Sequence, residues 1–474
     1  MTSEGEIERF VTDPSEFFGH SLTKMMTVPR ETLSALQMGG LTARFRRFRG
    51  SLPMLDKLAD AQGIDSIHEP DDLLPLLFSH EIYKSYPASL LEKRRYRALT
   101  DWLNKLTTLD LSKVDVSACA STDDWMLTLS RESPLAVVHT SGTSGRLSFL
   151  PWTKAEWIRF IGQHPVMFFQ RFGEDAPAPS LPMNIPCIFP YFRSGGISHT
   201  VLNDALVKVI AGSEERFHAA YPGRLSADLL LLAARRRAAE SKGQLDRLEI
   251  SPELAARRAE FETQQRGMPQ HLIEFFSTMR TTLAGKQVFI EATSNLLHSL
   301  AQNGLQQGMR NIFSPDSVIL TGGGNKGVVI PKDWQDTVKA FFGTERLSLV
   351  YGMSEMAGLF TSCQLGSYHA PPWIIPFVLD PDTGQALPRR GRVKGRFAFY
   401  DLLPDTRWGG FVTGDEVTME WDEQCPCGRT TPYLGSTIER LSEKRANEGE
   451  EKISCAATPA AYAEALDFLT ADTL

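Results

Sequence analysis

The 474-residue sequence predicts an α/β protein of several subdomains, with β-sheets flanked by helices. Three observations carry this expectation. The chain is longer than a single hydrophobic core usually holds. Residues from about 14 to 105 follow a helical spacing of apolar side chains. From about 130 the texture changes to short apolar runs that end in glycine- or hydroxyl-rich turns, as strands do in α/β folds.

Composition narrows the class of function. Hydrophobic residues make up 42% and charged residues 23%, ordinary globular usage. The 50 Lys+Arg against 57 Asp+Glu give a formal charge of −7, which argues against a dedicated nucleic-acid binder. The arginines at 46–47 and 235–237 read as solvated helix surface. The first residues show no basic segment followed by an apolar run, and nothing approaches the roughly 18 apolar residues of a membrane span. The expected location is therefore cytoplasmic, with no membrane span. Six cysteines in a chain of this length do not make a disulfide framework.

In order along the chain, Leu33, Leu36, Leu41 and Phe45 mark one helical face. Residues 1–125 are expected to form a mainly helical segment packed on a core at 126–440, with a short C-terminal remnant at 441–474. The run 135–138 leads into His139-Thr-Ser-Gly-Thr-Ser-Gly-Arg146. The run 318–320 leads into Thr321-Gly-Gly-Gly-Asn-Lys326, and 347–350 into Tyr351-Gly-Met-Ser-Glu355. Three strands each delivering a polar loop resemble one side of a ligand crevice at strand carboxyl ends. Residues 224–304 read as helices, with Ser226 as one N-cap and Ser251 before Pro252 as another. After about 370 short strands and turns return, such as Asp380-Pro-Asp-Thr-Gly384. Residues 446–451 read as charged and mobile, and a short helix is expected at about 459–469.

The loops carry the chemistry. Thr140, Ser141, Gly142, Thr143, Ser144 and Gly145 combine two glycines with four hydroxyls, and Arg146 adds a permanent charge. Glycines let backbone N–H groups curl around an anion, and hydroxyls add donors, so the loop reads as a polyphosphate cradle. A flexible linker of the same composition is the bland alternative, and the preceding apolar run weakens it. Tyr351, Gly352, Ser354 and Glu355 bring an aromatic face, a turn glycine, a hydroxyl and a carboxylate together, as purine, phosphate and Mg²⁺ require. Asp415 follows a tight turn and suits ribose hydroxyls. Taken alone, either of these last two loops reads better as an ordinary turn.

Taken together and in this order, Thr140–Arg146, Tyr351–Glu355 and Thr413-Gly-Asp415 resemble the adenylate-forming superfamily of acyl-CoA ligases, peptide-synthetase adenylation domains and luciferase. Cys425-Pro-Cys-Gly-Arg-Thr430, the spacing of Cys363 and His369, and the Gly322–Lys326 loop are most similar to phenylacetate–CoA ligases and acyl-protein synthetases. The likeness spans roughly residues 35 to 440. It implies the adenylate-forming fold and ATP-dependent activation of a carboxylic acid as acyl-adenylate. Pyrophosphate release and transfer of the acyl group to a thiol or amine would follow. It implies that Ser141, Thr143, Ser144 and Arg146 hold the β- and γ-phosphates, and that Gly322, Gly323 and Gly324 line the adenine and acyl pocket. Tyr351 would stack on adenine, Ser354 would contact the α-phosphate, Glu355 would ligate Mg²⁺ and Asp415 would bind ribose. Arg440 stands where the superfamily has its Gly-Arg, and the segment 191–199 matches its glycine-rich stretch beside the acyl site, with His199 as a possible substrate contact.

Cys363, His369, Cys425 and Cys427 offer three thiols and an imidazole, the closed set of structural zinc sites. The Cys-x-Cys gap is tighter than the usual Cys-x2-Cys, and reduced cysteines packed near a loop remain the alternative. Bound zinc would staple the loop after Glu355 to the segment after Asp415.

The superfamily usually continues into a mobile C-terminal domain that delivers a lysine; here that domain is expected to be largely absent. Lys444 and Lys452 are weak candidates for the lysine. Cys455 is a candidate acyl acceptor, weighed against an incidental cysteine. The expected partners are a small carboxylic acid and, as acceptor, CoA, a carrier protein or an amine. An acyl- or aryl-CoA ligase and a non-catalytic nucleotide-binding subunit are the alternatives.

Overall fold

The computed structural model describes residues 3–141, 146–322, 330–441 and 459–470. Residues 14–105 are mainly helical, as the spacing predicts. In the helix Arg30–Phe48 the four expected residues, Leu33, Leu36, Leu41 and Phe45, are all buried. The same helix buries Arg44, whose guanidinium donates to the carbonyls of Leu402 (2.9 Å) and Val11 (3.2 Å). Phe45 and Phe48 meet Trp408 edge-on at 6.3 and 5.9 Å. The helical layer is thus bonded to the core beside the segment that leads to Asp415.

Fourteen strands are described: β1 (Phe78–Ser79), β2 (Val138–Ser141), β3 (Leu147–Leu150), β4 (Cys187–Gly195), β5 (Phe217–Leu225), β6 (Phe289–Glu291), β7 (Val318–Gly322), β8 (Leu347–Tyr351), β9 (Phe360–Ser362), β10 (Tyr368–His369), β11 (Ile374–Leu379), β12 (Arg392–Asp401), β13 (Gly410–Glu420) and β14 (Tyr433–Arg440). Twelve of them form one mixed sheet in the order β11-β12-β13-β14-β10-β9-β8-β7-β6-β4-β5, with β1 against β13. From β5 to β8 the pairing is parallel, and from β8 onward it is antiparallel.

The parallel half is buried on both faces. Phe289, Val318 and Leu320 belong to one apolar cluster, and their neighbours Ile290 and Ile319 to another. That alternation follows from the two-residue period of a strand. Helices Ser294–Gln306 and Trp334–Phe342 fill the second cluster through Leu297, Leu300, Val338 and Phe341. Parallel strands covered by helices read as continuous apolar runs, which is why β7 was legible.

The expected caps are present. Ser226 accepts from the Leu229 amide at the start of Ala227–Glu240, and Ser251 does so for Leu254. The expected C-terminal helix spans Pro459–Thr470. Among the described residues, no helix is long and apolar enough to cross a membrane.

One expectation changes. β7 and β8 are parallel neighbours, but β2 is not beside them. It pairs with β3 alone, in a separate antiparallel hairpin. A short apolar run looks the same whether its partner is parallel or antiparallel, so sequence did not separate the two.

Candidate active site

The first loop is the tip of the β2–β3 hairpin, whose last pair is Ser141 with Leu147. Thr140 pairs with Ser148 one step below. Gly142, Thr143, Ser144 and Gly145 lie outside the described residues. Arg146 stands at the foot of the tip. Its guanidinium lies over the Tyr86 ring at 5.2 Å and donates to the Tyr86 carbonyl. The hairpin touches the glycine-rich segment directly, because the His139 amide donates to the Gly196 carbonyl at 2.7 Å. The approach requires glycine: a Cβ at Gly196 would stand 2.5 Å from the His139 ring.

The second loop leaves β8 at the seam between the parallel and antiparallel halves of the sheet. Tyr351 is only 8% exposed, its ring edge-on to Phe360 and Phe397. Its hydroxyl donates to Asp415 Oδ2 at 2.9 Å. Burial, with Asp415 opposite, pushes the phenol pKa far up, so it stays a donor. Ser354 shares a hydrogen bond with Ser198 (Oγ–Oγ 3.2 Å), at the start of the short helix Ser198–Val201. The Ser354 carbonyl accepts from the Trp152 indole at 2.8 Å. Glu355 is partly buried, and burial lifts its carboxyl above the ordinary range against the pull of Arg440 and Arg407. A carboxylate oxygen is the kind of donor that magnesium takes alongside a nucleotide.

The third loop lies in β13. The Asp415 amide donates to Thr413 Oγ1 (3.0 Å), and that hydroxyl donates to the Phe397 carbonyl (2.8 Å). Antiparallel pairing sets Asp415 opposite Arg440, whose Nε is 3.3 Å from Asp415 Oδ1. Tyr351, Asp415 and Arg440 therefore meet, although 64 residues separate the first two. Ser354 and Glu355 follow three and four residues after Tyr351, and the hairpin reaches them through Trp152 and the 196–198 segment.

The glycine triplet begins at the end of β7. Gly322 pairs with Val350, and a Cβ there would stand 2.3 Å from the Val350 carbonyl oxygen, so β7 and β8 approach too closely for any side chain. Gly323 and Gly324 lie outside the described residues, as do Lys444, Lys452 and Cys455. His199 adjoins Ser198 and is partly buried.

The four zinc candidates converge. The Sγ atoms of Cys363, Cys425 and Cys427 and a His369 ring nitrogen lie within 4.8 Å of one another. Cys363 Sγ is 3.9 Å from Cys425 Sγ, and Cys427 Sγ is 3.4 Å from His369 Nε2. Tetrahedral zinc with Zn–S near 2.3 Å spaces its ligand atoms by about 3.6–3.8 Å, so the donor set fits. Burial, aided by Arg429, lowers the His369 pKa to about 3, which keeps the imidazole in its metal-binding neutral form. Burial raises Cys427 to about 12. Cys363 follows β9 and His369 sits in β10, while both other cysteines lie in the turn between β13 and β14. The cluster joins the hairpin that follows Glu355 to the turn that follows Asp415.

Sequence reasoning missed Trp152, Ser198, Glu156, Asp401 and Arg407. Ser198 lies inside the 191–199 stretch but was not singled out, and the other four are isolated residues outside any motif. Trp152 and Ser198 were findable only as neighbours of recognised loops.

No protein-family model matches the sequence, and no curated protein matches it. Solved structures do. An open conformation of 2-hydroxyisobutyryl-CoA ligase in complex with 2-HIB-AMP and CoA is similar with a TM-score of 0.53 at 14% identity, over 94% of this chain and 93% of that chain. The same ligase in complex with 2-HIB-AMP and CoA in its thioesterification state gives 0.51 at 14% identity, over 94% and 86%. The chain has the adenylate-forming α/β fold of these ligases.

Proposed function

We propose that the chain activates a carboxylic acid as its acyl-adenylate, consuming ATP and releasing pyrophosphate, and then passes the acyl group to a thiol or amine. The supporting observation is the meeting of Tyr351, Asp415 and Arg440 beside Ser354 and Glu355, from loops that the sequence sets far apart. The fold is that of a ligase whose solved complex contains an acyl-AMP and CoA. The cysteine and glycine motifs favour a phenylacetate–CoA ligase-like or acyl-protein synthetase-like branch, with 126–440 as the adenylation core.

The chemistry is electrostatic. A carboxylate oxygen attacks the α-phosphorus, and the bond from that phosphorus to pyrophosphate breaks. Two anions must approach, so positive charge and oriented donors do most of the work. Magnesium, when bound at Glu355, would offset charge on the departing pyrophosphate. Ser354 would donate to the α-phosphate and Asp415 would accept from ribose hydroxyls. Arg146 and the hairpin tip would hold the outer phosphates. No general base is required, because the acid is ionised at neutral pH.

Hydroxylamine trapping of the activated acid, over a panel of aliphatic, aromatic and amino acids, tests the reading. Acid-dependent hydroxamate with matching ATP–pyrophosphate exchange supports it. ATP binding with no turnover for any acid would instead favour a non-catalytic nucleotide-binding subunit. CoA-dependent release of AMP would identify CoA as the acceptor.

We also assign a structural zinc to Cys363, His369, Cys425 and Cys427. Bound there, zinc would tie the β9–β10 hairpin to the β13–β14 turn. Elemental analysis of the purified protein should find one zinc per chain. Cys427→Ser should lower both the zinc content and the melting temperature. A metal-free protein, or a variant with an unmoved melting temperature, would remove the assignment.

A further inference from the structure

Arg407 belongs to no motif, yet it is 1% exposed. A guanidinium keeps its charge in any protein environment, and burying a charge costs several kcal/mol before compensation. Among the described residues its one ion-pair partner is Glu156, 3.9 Å from Nε, at the limit of an ion pair. The carboxyl groups of Asp401 and Glu355 also feel its charge, but none of these is a close pair, so the position asks for a further reason.

The contacts supply one. The guanidinium carbon lies over the Trp152 ring, 4.2 Å from its centroid, and Nη1 donates to the Glu355 carbonyl at 3.1 Å. Trp152 in turn donates its indole N–H to the preceding carbonyl, that of Ser354. Two residues later the Ala357 amide donates to Asp401. The backbone of 354–357 is therefore anchored at three points by segments far away in sequence. Glu156 holds the anchor itself. Its Oε1 accepts from the Asp405 and Thr406 amides and the Thr406 hydroxyl, and its Oε2 accepts from the Thr153 amide. Trp157 stacks on the far side of the assembly, 4.1 Å from Trp152. The hydrogen bond from Arg407 goes to the carbonyl of Glu355, not to its carboxylate.

We propose that Arg407, stacked on Trp152, is a positioning residue that fixes Glu355 for the magnesium–nucleotide complex. It does so by holding the Glu355 backbone through its carbonyl. This rests on the adenylation reading. Trp152 leaves the β2–β3 hairpin two residues after β3, so the stack also keeps the phosphate-binding hairpin in register with the metal-binding loop.

The test separates positioning from simple support of the fold. Arg407→Met removes both the charge and the fork of donors. It should raise the magnesium concentration giving half-maximal pyrophosphate exchange by about tenfold, the scale of one lost charge-assisted hydrogen bond. Arg407→Lys, which keeps the charge but not the planar stack, should recover part of that shift. A drop in kcat with the magnesium dependence unmoved would overturn the proposal, because a merely structural role lowers the active fraction alone. If Arg407→Met does not fold, Trp152→Phe decides. It keeps an aromatic face but removes the donor to Ser354, and it should shift the magnesium dependence several-fold in the same direction; no shift would overturn the idea. Calorimetric titrations with ATP, with and without magnesium, give the same comparison without turnover. Wild-type protein that binds ATP with magnesium dependence but exchanges no pyrophosphate would sink the adenylation reading alone. Wild-type binding that ignores magnesium would sink the role of Arg407.

Discussion

Glu355→Gln is expected to lower acid-dependent pyrophosphate exchange by about 10²–10³-fold, the scale on which one preorganised electrostatic contact matters in a transition state. The substitution keeps the size and shape of the side chain, so the Arg407 and Trp152 contacts to the loop carbonyls survive. What disappears is the negative oxygen that magnesium would take. Stability should not fall. Burial raises the Glu355 pKa in the folded protein, so its ionised form is disfavoured there relative to the unfolded chain. Stability from such a group is present below the unfolded pKa and lost as pH rises through the folded one. The ionised carboxylate therefore costs stability in the fold, and a neutral glutamine relieves that cost. The melting temperature should therefore stay level or rise while exchange collapses. Normal exchange in the variant would remove the metal role from Glu355. Lost exchange with a lower melting temperature would mean that the effect came from the fold.

The candidate loops at 321 and 351 were legible because each follows an apolar run that reads as a buried strand. β7 and β8 were read from the runs 318–320 and 347–350, and the helix Arg30–Phe48 from the spacing of four residues. The partnership of the loops was another matter. Residue types at 351 and 415 suggest a nucleotide site, but nothing in the sequence says that Tyr351 donates to Asp415 or that Arg440 pairs with it. Those contacts follow from strand order, with β13 and β14 brought round the antiparallel half toward β8. The detachment of β2 from the main sheet was illegible for the same reason. Arg407 was harder still. Its partners at 152, 156 and 355 come from two segments far from it in sequence, and a single arginine in a loop looks like solvated charge until its neighbours are known.

Asp415→Ala carries the second large effect, because one carboxylate does two jobs. It accepts from the Tyr351 hydroxyl in a buried setting and faces Arg440. Removing it leaves the phenol without its acceptor, which costs about 1–3 kcal/mol. The lost pairing with Arg440 adds little, since that side chain is 66% exposed and solvent screens it. The same change deletes the acceptor proposed for ribose, so the KM for ATP should rise by about 10–100-fold, as when a charge-assisted hydrogen bond is removed from a binding site. Asp415→Asn separates the two jobs. Its amide oxygen can still accept from Tyr351, so stability should largely return, while the missing charge leaves ATP binding weak. Tyr351→Phe supplies the third corner of a cycle. With the hydroxyl already gone, Asp415→Ala should destabilise less than it does in the wild type, because residues in direct contact are not additive. Thermal melts of the four proteins and ATP titrations of the same set measure both halves of the argument. Additive stabilities would mean that the Tyr351–Asp415 hydrogen bond does not hold the two loops together. Unchanged ATP affinity in Asp415→Ala would mean that the loops converge around something other than a nucleotide.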